Sequence, residues 1–221
     1  MDKVFDYFAG RNFASLSIQM HKANKLGASD KEKFQSEGAP FVDGDFIITK
    51  IQLGRFQRLF AGEDAPGKWS AFLRADIQLT NNDLPENMRS YLGGMSSIRG
   101  YYESEISGDT SVATSFELRT PLLENFIPKL KKDKKYLEEN PAYWGRHRLQ
   151  FIAFTDWGWV ENKTKVAGQS NSQGLWSIGL GVRLGLTKYS QMSLDYGFPL
   201  IDATEDTPEN GRWHLSLQAQ F

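Results

Sequence analysis

Residues 212–221 alternate from end to end: Trp213, Leu215, Leu217, Ala219 and Phe221 fall on one side of an extended chain, and Arg212, His214, Ser216, Gln218 and Gln220 on the other. A period of two is that of a β-strand. A wholly apolar face backed by a wholly polar one asks for a different environment on each side. About ten residues is the length of a tilted strand that crosses a bilayer. Trp213, Leu215, Leu217 and Phe221 then face lipid, with the aromatic Phe221 expected at one membrane interface.

The same alternation recurs upstream. Met192, Leu194, Tyr196 and Phe198 oppose Gln191, Ser193, Asp195 and Gly197, and Trp176, Ile178, Leu180, Val182, Leu184 and Leu186 oppose Ser177, Gly179, Gly181, Arg183 and Gly185. Within 144–159, Leu149, Phe151, Ala153, Thr155 and Trp157 oppose Arg148, Gln150, Ile152, Phe154, Asp156 and Gly158. Within 111–119, Val112, Thr114, Phe116 and Leu118 oppose Ala113, Ser115, Glu117 and Arg119. Further strands are expected over 69–79, 47–59 and 13–22, giving about eight in all and no long helix.

The polar faces decide the fold class. In a β-sandwich, Arg74, Asp76, Glu117, Arg119, Arg148, Asp156 and Arg183 would enter a dry interior at several kcal/mol each unless paired. A water-filled lumen removes that penalty, so the expectation is an all-β, antiparallel transmembrane barrel. A mean hydropathy of -0.48 is compatible with this, because lipid-facing and lumen-facing residues average out. No run of about 18 apolar residues offers a membrane helix. A net charge of -1 gives no field that would attract nucleic acid. No Ser, His and acid converge by spacing: His214 and Ser216 share an inner face, which reads as polar lining, and no enzyme is expected.

Connections alternate in length. Those over 23–45, 81–110, 160–174 and 199–211 are long and polar, whereas 61–67 and 187–190 are short, as expected for outer loops and periplasmic turns. Residues 121–143 break the rule: a long connection on the short-turn side, carrying the charged run Lys129 to Lys135 and then Glu138 and Glu139. It is expected to be a solvated face with a short helix.

The loop over 81–110 contains Gly93 and Gly94, then Ile98, Arg99, Gly100 and Tyr101, then Gly108 and Asp109; Glu117-Leu118-Arg119-Thr120-Pro121 follows. This order resembles the hemolysin-activator family of two-partner secretion transporters, in the same superfamily as the outer-membrane barrel-assembly proteins. In that superfamily a Gly-Gly pair precedes a Val-Arg-Gly-Tyr tetrapeptide at the tip of a long loop; Ile98 replaces the valine here. A second pattern, Phe-x-Asp-x-Gly, stands as Phe154, Asp156 and Gly158. The stretch Arg55-Phe56-Gln57-Arg58-Leu59 also resembles the hemolysin-activator branch. The likeness runs from about Asn12 to Phe221.

The resemblance implies that the loop folds back into the lumen and that Arg99 meets Asp156, a guanidinium fork on a carboxylate. On a lumen wall such a pair is expected to be only partly dry, so modestly stabilising, and chiefly to hold the loop in register. Glycines 93, 94 and 100 would let the loop turn beside the wall, and Tyr101 would pack its ring inward with a wet hydroxyl. Glu117, Arg119 and Arg183 are expected on the lumen wall. The implied function is export of a partner polypeptide of hemolysin or adhesin type through the pore without ATP; the alternative is assembly of other outer-membrane proteins. Neither role implies a cofactor or metal. The implied partners are the outer-membrane bilayer, the secreted polypeptide and, through the C-terminal strand, the barrel-assembly machinery. In that family the conserved loop follows the eleventh of sixteen strands, so the chain is expected to be the C-terminal half of a barrel. No apolar signal segment follows Met1, and the N-terminal periplasmic domains are expected to be missing from this sequence.

Overall fold

All eight alternating segments form strands. A computed structural model describes residues 3–7, 10–23, 25, 30–59, 69–124, 126, 134–139, 147–164, 170–187 and 190–220. The eight are β2 (Gly10–His21), β3 (Phe46–Arg58), β4 (Ser70–Thr80), β7 (Thr110–Arg119), β9 (Arg148–Glu161), β10 (Ser172–Thr187), β11 (Ser190–Pro199) and β12 (Arg212–Ala219). Each pairs antiparallel with the next, in the order β2-β3-β4-β7-β9-β10-β11-β12. This is the all-β, antiparallel architecture of a β-barrel wall. Among the described residues no pairing joins β12 back to the other end of the sheet.

Register carries the alternation across the sheet. Trp157 stands opposite Trp176, and Leu194 opposite both Val182 and Leu215, so apolar residues share one surface. That surface is open: Leu16, Ile18, Met20, Leu73, Phe151, Leu180, Trp213, Leu215 and Leu217 are all exposed, Leu180 by 68%. A patch of this extent is untenable against water and suits hydrocarbon. Trp157, Trp176, Phe198 and Trp213 lie near the end from which the long loops spring, and Tyr196 packs on Trp213 at 4.8 Å between ring centroids. Aromatic residues gathered at one level mark a membrane interface. The expected interfacial Phe221 lies outside the described residues.

Several features differ from the sequence expectation. A further strand, β1 (Lys3–Tyr7), pairs with β2, and a two-residue strand, β8 (Leu123–Glu124), pairs with β9, making the main sheet ten-stranded. Inside the long loop, β5 (Ser90–Leu92) and β6 (Ile106–Gly108) form a small hairpin of their own. β9 and β10 run beyond the expected limits because their backbones stay paired up to Glu161 and Ser172. A six-residue helix, α1 (Lys31–Ser36), caps on Asp30, whose side chain accepts from the Lys33 amide. Another, α2 (Lys134–Glu139), falls in the charged connection; Lys129 to Asp133 and the short turn over 61–67 lie outside the described residues. No described helix is long and apolar enough to cross a membrane, which says nothing about strands.

The inner face is drier than the alternation implied. Leu92, Ile98, Tyr101 and Ile106 from the loop pack with Ala113, Val160 and Leu175 of the wall into a buried apolar cluster. The loop brings its own hydrophobic residues into the lumen, each worth about 2 kcal/mol once buried. A second cluster, Val42, Phe46, Ile48 and Leu84, lies at the base of the long loops.

Candidate functional site: the in-folded loop and its buried arginine

The segment between β4 and β7 turns inward and lies against the inner face of β7, β9, β10, β11 and β12. Ser97 fixes its first turn: its hydroxyl donates to the Gly93 carbonyl and accepts from the Gly93 amide, both at 2.9 Å. Gly93 and Gly94 both stand at positive φ there. Ile98 is fully buried and its side chain sits directly over Gly158, where a Cβ would meet Ile98 Cγ1 at 2.9 Å.

Arg99 follows, and it is buried. Its Nε donates to Asp156 Oδ2 at 2.7 Å and its Nη2 to Asp156 Oδ1 at 2.9 Å, the two-pronged contact the resemblance implied. The Arg99 amide adds a bond to Oδ2 at 3.1 Å, and the Ser115 hydroxyl one to Oδ1 at 2.6 Å. Phe154 lies under the guanidinium, 3.5 Å from Cζ to the ring centroid, a cation–π contact. All three residues of the Phe-x-Asp-x-Gly pattern therefore touch the loop: Phe154 beneath the charge, Asp156 on its edge, Gly158 beneath the neighbouring isoleucine.

The pair is not wet. The Arg99 side chain is 6% exposed and that of Asp156 0%, so the pair is drier than the partly dry contact that was expected. Dry charges need full compensation, and a wider network supplies it. Arg99 Nη1 donates to Glu117 Oε1 at 2.8 Å and lies 3.5 Å from Asp195. Glu117 also accepts from Arg119 at 2.6 and 2.9 Å, and Asp195 from Arg183 at 2.6 and 2.9 Å. Three guanidinium groups thus face three carboxylates. Burial opposes the charge on Arg99, but Asp156, Glu117 and Asp195 more than offset it, so its pKa rises above the ordinary value. Glu117, Arg119 and Arg183, expected only as wall residues, are members of this network.

Gly100 stands at φ 96°, a conformation open to glycine, with its backbone pressed against Gly197 on β11: a Cβ on Gly100 would meet the Gly197 carbonyl carbon at 2.9 Å. Its amide donates to His214 Nε2 at 2.9 Å. Tyr101 is fully buried, and its hydroxyl lies 2.8 Å from the carbonyls of both Trp176 and Ile201. This corrects the expectation of a wet hydroxyl: the 200–211 connection folds over it. Glu105 ties the same connection down, accepting from the Thr204 and Thr207 hydroxyls at 2.7 Å each.

At the base of the loop, Gly108 presses on β9 opposite Val160. Asp109 accepts from the amides of Leu84 at 3.0 Å and Lys163 at 2.8 Å, closing the two ends of the loop onto the β9–β10 connection. Between the tip and β4 is a polar gap of about 240 Å³ whose lining includes Phe72, Arg74, Asp76, Ser96, Arg99 and Ser115. The C-terminal residues Trp213, Leu215 and Leu217 take no part in the site; they face outward as expected.

The sequence reasoning missed Ser115 and Asp195 as partners of the arginine, and Glu105, Thr204 and Thr207 as a clamp. Asp195 carried a signal, being an inward carboxylate on a strand beside Arg183.

Residues 33–221 match the model of a family described as the Omp85 superfamily domain. Among solved structures the chain is similar to CdiB from Escherichia coli, with a TM-score of 0.64 at 17% identity over 98% of this chain. The match covers 34% of CdiB, so the chain spans about a third of that protein's length. No curated protein sequence matches the chain.

Proposed function

The chain belongs to the Omp85 superfamily, and from that premise we propose that it forms part of an outer-membrane conduit that exports a partner polypeptide of hemolysin or adhesin type without ATP. The observation that carries the reading is the Arg99 network. A loop held inside a wall by a dry, fully compensated arginine is a built element of the lumen. The outward aliphatic face supports residence in the outer membrane, and the hemolysin-activator reading rests on the Glu117-to-Pro121 and Arg55-to-Leu59 strings together with the loop motif. In this reading the chain is the C-terminal half of the barrel, and Trp213, Leu215 and Leu217 on β12 serve as its signal to the barrel-assembly machinery.

The test is secretion of the partner polypeptide by the protein expressed from its complete gene, with Arg99→Ala and Asp156→Ala. The expected result is a loss of secreted partner of about tenfold or more, because each variant breaks the buried pair that holds the loop, at an unchanged outer-membrane level of the transporter. Normal secretion by both variants would remove the mechanism. Normal secretion with a general loss of other outer-membrane proteins would transfer the chain to the assembly role.

A further inference from the structure

His214 lies on β12 with its side chain on the inner face, 8% exposed, although β12 is the last strand of the sheet and its other residues are mostly open. Nothing in the arginine network requires it. Its Nε2 lies 2.9 Å from the Gly100 amide, and among the described residues it is the acceptor that this amide has. An amide nitrogen only donates. Nε2 therefore contributes its lone pair and carries no proton, and the ring proton sits on Nδ1. The contact joins the loop tip to a strand that is otherwise 114 residues away in sequence.

We infer that His214 is a positioning residue for the in-folded loop, one that holds the tip against β12 only while its imidazole is neutral. A doubly protonated ring has a donor on each nitrogen and no acceptor. The Gly100 N–H would then face another N–H at hydrogen-bond distance, with both residues buried. Gly100 already lies against the Gly197 backbone, so the tip cannot relieve this by moving toward β11. It must lift from β11 and β12 together. The groups that face the ring are Asp195 on β11, Glu103 and Arg99 on the loop, and Arg212 on its own strand. Asp195 is already engaged by Arg183 at 2.6 and 2.9 Å, and Glu103 by the Met95 amide at 2.8 Å. Two carboxylates and two guanidinium groups leave no net charge to hold an imidazolium in place. The carboxylate anchor of Arg99 is untouched by this step, so acid would loosen the tip without expelling the loop. The inference concerns how the loop is held and applies equally to a conduit that exports or assembles.

A nitroxide attached at Ser96→Cys, an exposed position on the same tip, reports the attachment. The protein is expressed from its complete gene and kept in outer-membrane vesicles. Spectra are recorded from about pH 8 to about pH 5, a window that brackets the ordinary imidazole titration. With His214 in place the mobile fraction of the label should rise about tenfold relative to the immobile fraction as pH falls, the size of one lost buried hydrogen bond, along a one-proton curve. His214→Gln keeps an acceptor oxygen without a titrating group and should stay immobile throughout. His214→Ala should be mobile throughout. Identical pH curves for the native and His214→Gln proteins would overturn the inference. So would an immobile label at all pH values in His214→Ala or in the native protein. Heat-modifiable gel mobility identifies folded barrels, and the glutamine variant carries the test if the alanine variant does not assemble.

Discussion

Replacing Arg99 by alanine separates a dry charge network from a wet one. The substitution removes the two side-chain bonds to Asp156, at 2.7 and 2.9 Å, and the one to Glu117 at 2.8 Å. The consequences are unequal. Glu117 keeps Arg119 and Asp195 keeps Arg183, but Asp156, with no exposed surface, retains among the described residues only the Ser115 hydroxyl and the residue-99 amide. A buried carboxylate stripped of its cation costs about 3–5 kcal/mol. Asp156→Ala should cost somewhat less, about 2–4 kcal/mol, because the guanidinium still has Glu117. The double variant leaves neither charge stranded, so it should be more stable than the two single losses predict, by a coupling of about 2 kcal/mol. Equilibrium urea unfolding of the complete protein in micelles, followed by tryptophan fluorescence, measures all three. A solvent-screened pair couples by less than about 1 kcal/mol. A measured coupling under about 0.5 kcal/mol would refute the claim that this site is dry and cooperative.

Tyr101→Phe removes a hydroxyl held between the Trp176 and Ile201 carbonyls, and should lower stability by about 1–2 kcal/mol in the same unfolding assay. Burial pushes the Tyr101 phenol above its ordinary pKa, so the loop contact should survive the normal phenol range and be lost only as pH rises beyond it. Ultraviolet titration should show one tyrosine ionising late, and that step should vanish in the variant. Leu180→Arg, in the middle of β10 on the outward face, should cost about 2–4 kcal/mol if hydrocarbon lies there; a change within about 0.5 kcal/mol, as at an aqueous surface, would contradict the membrane assignment.

The strands were legible because each writes its own two-residue period, and Trp213, Leu215 and Leu217 needed no partner to be placed. β1 was not, since Lys3 to Tyr7 is too short for alternation to stand out from chance. The Arg99–Asp156 contact spans 57 residues and leaves no local pattern; only the resemblance joined them. The wider network is a matter of register. Gly181 stands opposite Asp195 and Arg183 opposite Ser193, so Arg183 reaches its carboxylate along a diagonal that exists only once the hairpin is set. The dryness was illegible for another reason. Charged inward faces implied water, and the same sequence then supplied Leu92, Ile98, Tyr101 and Ile106 to displace it.

Where Gly100 meets Gly197, main chain lies on main chain with no space for a methyl group between them. On that flank the loop and the wall leave no room for an extended peptide strand, about 5 Å across in the plane of its backbone. If the lumen carries a polypeptide as proposed, the polar gap beside Arg74 and Asp76 is the side of the loop left open to it.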